Sequence, residues 1–129
     1  MTTEFISVDE VLALHAQQLQ RFGGAAGLRD HKLLESAVAQ PQATFDGAFL
    51  HHDLFEMAAA YLYHLVRNHA FVDGNKRTGL LAALTFLDLD GAPIQCGTDA
   101  LYDMTMAVAQ GRLHKAQVAE VLRRLASAP

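Results

Sequence analysis

Between positions 69 and 79 the chain reads HAFVDGNKRTG. Those eleven residues place an imidazole (His69), a carboxylate (Asp73), an amide (Asn75), an ammonium (Lys76) and a guanidinium (Arg77) around Gly74. Taken singly, each has a plain role. His69 suits the end of a helix, Asp73 a turn, Asn75 a helix N-cap, and Lys76 with Arg77 a solvated face. Together they suit a phosphate site beside a base. If a helix starts at Asn75, its first turn offers free amides and the positive end of a dipole, where anions bind. Gly74 lets a bulky phosphate approach the backbone. Arg77 can grip phosphate oxygens in a fork, and Lys76 adds a point charge. Asn75 can cap the helix or donate to an oxygen. Two cations at a helix start are unfavourable unless an anion belongs there. Asp73 would repel that anion unless Mg²⁺ bridges the two. His69, four residues earlier, can take a proton from an attacking hydroxyl. Phe71 between them is expected to plug into the core, so that His69 and Asp73 face one cavity.

The elements that must hold these groups are helical almost throughout. Ser7-Val-Asp-Glu10 is a capping box ahead of Val8, Val11, Leu12, His15, Leu19 and Phe22, and Gly23-Gly24 stops that helix. Asp30 caps a second helix carrying Leu33, Leu34, Ala37 and Val38, which ends before Pro41. In residues 41–50, Asp46-Gly47 is a turn signal and Thr44-Phe45 and Ala48-Phe49 could be short arms. A third helix is expected from about His52 to His69, with a wide apolar face that marks it as central. A fourth runs from about Asn75 to Asp88, with Leu80, Leu81, Leu84 and Leu87 inward. Thr98 or Asp99 caps a fifth through Leu101, Met104 and Val108, and Lys115 to Ala126 reads as a sixth. The expectation is a single all-α domain over 1–129: a compact bundle of about six helices with a short flap hairpin or loop.

Bulk properties narrow the function classes. The chain has 129 residues, 51% of them hydrophobic, enough for one core. A net charge of -4 argues against a general nucleic-acid binder. Cys96 is the only cysteine, which excludes an internal disulfide and fits a reducing compartment; a half-buried structural thiol is expected. Nothing resembles a signal peptide or a membrane span, so the expected location is the cytoplasm.

With these residues in view, HAFVDGNKR resembles the signature of the Fic/Doc superfamily, His-x-Phe-x-(Asp/Glu)-Gly-Asn-(Gly/Lys)-Arg, matching at His69, Phe71, Asp73, Gly74, Asn75, Lys76 and Arg77. Residues 21–45 also look like the N-terminal part of death-on-curing (Doc) toxins. The resemblance implies a helical fold whose motif loop joins two central helices, and nucleotide chemistry on a protein hydroxyl. By it, His69 is the general base, Asp73 holds Mg²⁺, and Gly74, Asn75, Lys76 and Arg77 grip the phosphates of ATP. Thr44, Phe45, Asp46 and Gly47 would belong to a flap that docks the target as an added strand, though a plain surface loop fits the residues equally. Arg67 matches an Arg in Doc sequences; it is either a further phosphate contact or a cation favoured by the helix C-terminus.

Departures within the superfamily point to a subtype. AMP-transferring members usually carry Gly where this chain has Lys76 and a second Arg where it has Leu80. The Doc branch, similar to a kinase, has the Lys and lacks the second Arg. The resemblance therefore implies γ-phosphoryl transfer to a threonine of translation elongation factor Tu, with AMP transfer as the alternative. Self-restraining members carry (Ser/Thr)-x-x-x-Glu-(Gly/Asn), and no Glu here is followed by Gly or Asn. Inhibition in trans by a Phd-like antitoxin chain is thus implied; the first, fifth and last helices are candidates for its groove. Two readings from other classes stand beside this one. His51-His52-Asp53, with His31 and Asp103, would suit an HD-type metal phosphohydrolase, although His51 and His52 are expected to be exposed. A partner-binding domain with a dead motif is the other.

Overall fold

The first three helices begin where a side chain can satisfy one of their first amides. The computed structural model, which describes residues 2–127, comprises α1 (Val8–Phe22), α2 (His31–Ala39), a 3₁₀ turn (Gln40–Gln42), β1 (Thr44–Phe45), β2 (Ala48–Phe49), α3 (Leu54–Asn68), α4 (Asn75–Leu89), α5 (Thr98–Ala109) and α6 (Lys115–Ala126). The fold is all-α apart from the hairpin. Ser7 Oγ accepts from the Glu10 amide at 3.2 Å and Glu10 Oε1 accepts from the Ser7 amide at 3.0 Å, closing the capping box of α1. Asp30 Oδ1 accepts from the Leu33 amide at 3.1 Å to start α2. Buried Pro41 cannot continue that helix, and the chain tightens into the 3₁₀ turn around it. β1 and β2 pair antiparallel, Thr44 with Phe49 and Phe45 with Ala48. Asp46 (φ 57°) and Gly47 (φ 83°) form the turn, both in the positive-φ region that two-residue hairpins require.

The core is built on α3, which packs against α2, α4, α5 and α6. Ala58 to Leu62 are fully buried along it. Tyr61 pins the N-terminal segment: its hydroxyl accepts from the Ile6 amide at 2.7 Å and donates to the Ile6 carbonyl at 3.1 Å. Burial pushes the Tyr61 phenol up to about 12. Phe86 of α4 packs against both Tyr61 and Phe5. The most extensive packing is α3 on α4. A Cβ built at Gly79 would lie 2.9 Å from Val66 Cγ2 and 3.3 Å from the Leu62 carbonyl, so only glycine allows this approach.

That crossing overturns the expected inward face of α4. Gly79, Ala82, Ala83, Phe86 and Leu87 are buried, whereas Leu80, Leu81 and Leu84 are only half-buried. Small residues turn toward α3 because they let the backbones close; Leu80 and Leu84 turn toward a cavity instead. Other expectations also shift. α3 starts at Leu54, after His52, because Asp53 is its cap. α5 is preceded by Gly97 (φ 86°), with no side-chain cap from Thr98 or Asp99. Cys96 is exposed, since the 92–97 connector runs over the surface. Phe22, placed on the apolar stripe of α1, is 53% exposed at its end. His51 is buried rather than exposed, tucked between the start of α3 and Lys115 of α6.

Candidate active site

The loop from His69 to Gly74 joins α3 to α4, and its backbone is fastened from three sides. Phe71 is buried, and its ring stacks on that of His15 from α1, with centroids 3.7 Å apart and planes 8° from parallel. His15 Nε2 donates to the Asp73 carbonyl at 2.8 Å, which fixes the tautomer in which that nitrogen carries the proton. From the other side, residues 27–30 run antiparallel to the loop. Leu28 bridges Phe71, the Val72 amide donates to the Gly27 carbonyl at 3.0 Å, and the Arg29 and Asp30 amides donate to the Ala70 carbonyl at 2.7 and 3.0 Å. Asn75 closes the third side. Its Oδ1 accepts from the Phe71 amide and its Nδ2 donates to the Phe71 carbonyl, both at 3.0 Å.

Asn75 is therefore not the N-cap of α4. Its side chain faces back into the loop and is buried. Gly74 (φ 81°) takes the cap position, and no side chain caps the helix. The first turn thus presents amides with no side-chain acceptor, flanked by exposed Lys76 and Arg77. The Arg77 guanidinium lies 4.5 Å from the centre of the Phe22 ring, a cation–π contact across α1 and α4.

Asp73 is exposed, and its two oxygens are occupied by backbone. Oδ2 accepts from the Ala25 amide at 3.2 Å and Oδ1 from the Gly74 amide at 2.8 Å. These two bonds, then Lys76 and Arg77, hold its carboxyl below the usual carboxylate range, so it is ionised at neutral pH. Gly24 makes the approach possible: a Cβ there would stand 2.8 Å from Asp73 Oδ2.

A cavity of about 660 Å³ opens beside this turn. Asp73, Gly74, Asn75, Lys76 and Arg77 form its polar end, and Leu80, Leu84, Leu101, Tyr102 and Met106 its apolar walls. A concave apolar pocket with convergent polar groups at one end is the usual form of a small-molecule site. Two expected members lie elsewhere. His69 is exposed at the far end of the loop, in the left-handed conformation (φ 51°) just after α3, and is not among the residues lining this cavity. Arg67 is on α3, but its Nη1 reaches the carbonyls of Ala109 at 3.3 Å and Val108 at 3.4 Å. It serves the C-terminal end of α5, as the dipole favours, and does not line the cavity. Thr44, Phe45, Asp46 and Gly47 form the exposed hairpin, with Phe45 73% exposed.

Sequence reasoning missed three residues that build the site: His15, Phe22 and Arg29. All were legible only as helix-face or loop residues, because their partners lie 39 or more positions away in the chain. The His51-His52-Asp53 run takes no part. Asp53 caps α3 at the Glu56 amide (2.8 Å) and pairs with Arg123 (2.8 Å). Among the described residues no three His, Cys, Asp or Glu side chains gather as a metal-binding group. No helix of the described residues is long and apolar enough to cross a membrane.

Comparison with known proteins agrees with this geometry. The Fic/DOC family model matches residues 5–87. The chain is 38% identical over 120 residues to "Protein kinase doc" of Escherichia phage P1, covering 93% of this chain and 94% of that one. It is 44% identical over 97 residues to "Toxin Doc" of Mycolicibacterium smegmatis, covering 75% of this chain and 72% of that one. The motif loop, the uncapped helix beside it and these relatives lead to one conclusion: the chain belongs to the Fic/DOC family.

Proposed function

We propose that this protein is the toxin of a toxin–antitoxin pair and acts as a protein kinase, moving the γ-phosphoryl group of ATP to a threonine hydroxyl of elongation factor Tu. One observation carries the reading. The α4 N-terminus is uncapped, bears Lys76 and Arg77, and shares a cavity with an ionised Asp73. A protein that leaves amides and cations together at a helix start, against the dipole, has left room for an anion. The relatives' names, a kinase and a toxin, point the same way.

In this reading His69 takes the proton of the threonine hydroxyl. The hydroxyl oxygen bonds to the γ-phosphorus as the bond from that phosphorus to the β–γ bridging oxygen breaks, and ADP leaves with that electron pair. The α4 amides, Lys76 and Arg77 hold the charge that builds on the phosphoryl oxygens. The Asn75 side chain, engaged with the Phe71 backbone, supports the turn, and Asn75 would meet phosphate through its backbone amide at the start of α4. A single exposed carboxylate suits Mg²⁺ shared with substrate phosphates better than a metal caged by protein. Asp73 would hold that ion, which neutralises phosphate charge when bound. The exposed hairpin would dock the target, and a partner antitoxin would restrain the site in trans. AMP transfer is the second reading. Against it, Lys76 and Leu80 both line the cavity where an adenylylating member leaves space and a second Arg.

Incubation with Mg²⁺, elongation factor Tu and ATP labelled at the γ- or the α-phosphate tests this. Label transferred from the γ position only, lost in His69→Ala, is the expected result. Label from the α position would establish AMP transfer instead.

A further inference from the structure

The base is held in an unusual way. His69 directly follows the last helical residue of α3, with φ 51° and ψ 47°, a left-handed conformation that residues with a Cβ disfavour. The residue is exposed, and its backbone conformation sets the direction of the Cα–Cβ bond from which the imidazole projects. The carbonyls at this helix end have no intrahelical partners. Arg29 supplies them: its Nε donates to the His69 carbonyl at 2.7 Å and its Nη2 to the Asn68 carbonyl at 3.2 Å. One planar guanidinium thus grips two successive carbonyls, one of them that of the base.

We propose that Arg29 is a positioning residue for His69, holding the 68–69 backbone in the left-handed turn that aims the imidazole at the target hydroxyl. This inference rests on the reading of His69 as the base. Three features support it. The fork of Nε and Nη2 matches two carbonyls at fixed spacing, which a lysine ammonium cannot reproduce. A cation at the C-terminal end of α3 is favoured by the dipole, so the clamp adds no electrostatic conflict. The neighbouring anchors do not need the Arg29 side chain. The Ala70 carbonyl is held by the backbone amides of Arg29 and Asp30, and Asn68 Nδ2 donates to the Leu33 carbonyl at 3.0 Å. Loss of the guanidinium should therefore leave the loop attached and the fold intact while freeing the peptide that orients the base.

The test compares the wild type, Arg29→Gln, Arg29→Lys and His69→Ala in γ-phosphate transfer, with ¹³Cα and ¹³Cβ shifts of His69 measured on the wild type and the Arg29 variants. For Arg29→Gln we expect kcat to fall about 10- to 100-fold with KM for Mg·ATP nearly unchanged, because misaligned groups lose transition-state contacts and not ground-state binding. Arg29→Lys should fall nearly as far. The His69 carbon shifts should leave their left-handed values in both, with melting temperature held. Wild-type kcat in Arg29→Gln, or a parallel collapse of KM and melting temperature, would overturn the proposal. An inactive wild type would sink the functional reading and not this one; the His69 carbon shifts then decide it, and unchanged shifts in Arg29→Gln would refute it.

Discussion

Two helix N-termini in this molecule were built in opposite ways. At α3, Asp53 caps the first turn through the Glu56 amide and its other oxygen pairs with Arg123 of α6. At α4, Gly74 occupies the cap, no side chain accepts from the first turn, and the charged residues within that turn are the cations Lys76 and Arg77. The first end is completed by the protein itself. The second breaks the rules for helix starts, in cap, charge sign and backbone sign together. Local rules broken without local compensation are where function is expected. In the proposed reading, the difference separates a terminus that stabilises the fold from one left open for a ligand.

The sharpest way to break this comparison is chemical. His69→Ala should lower phosphoryl transfer by about 10²- to 10⁴-fold, the usual contribution of a general base. Its melting temperature should hold, since the ring is exposed; a melted variant would make His69 structural. Arg77→Ala follows, with a loss of about 10²- to 10³-fold in kcat/KM as one donor to developing charge is removed. Transfer assays on purified variants check both.

The closed end answers to stability. Asp53→Ala should cost about 0.5–2 kcal/mol in urea unfolding, the range for losing an N-cap, with transfer unchanged. Further along α3, Lys115 Nζ donates to His64 Nε2 at 3.2 Å, which needs a neutral imidazole. Burial, then Lys115 and His51, lowers His64 to about 4. The unfolded chain protonates this group near its ordinary value of about 6.5. Its contribution is therefore complete above pH 6.5 and is lost as pH falls toward 4. Urea unfolding at pH 7 and pH 5 should show a larger drop for wild type than for His64→Gln. An equal drop would remove His64 from the account of acid sensitivity.

The smallest effect has the opposite sign. Lys76→Ala should raise the stability of the unliganded protein by about 0.3–1 kcal/mol, by removing a cation from a helix start. A loss of stability there would mean that Lys76 is structural.

Much of this contrast was legible in the residues themselves. The caps at Ser7, Asp30 and the 46–47 turn are local chemistry, and they set element boundaries within a residue or two. The motif's order along the loop was also local. What sequence could not give was rotation and distance. The leucines of α4 outweighed its small residues by hydropathy, yet Gly79 and Ala83 face α3 because backbone approach decides packing there. Asn75 looked like a cap because Asn often is one; its actual partner, the Phe71 backbone, emerged only when the loop folded back. His15, Phe22 and Arg29 touch the site across 39 or more positions of chain, which no periodicity records.

The most direct measurement of the central claim is Mg·ATP affinity by calorimetry for wild type, Arg77→Ala, Lys76→Ala and Asp53→Ala. Affinity that falls with either cation of α4 and is untouched at Asp53 is the expected result. Wild-type affinity in both Arg77→Ala and Lys76→Ala would contradict the assignment of the open helix end as the phosphate seat.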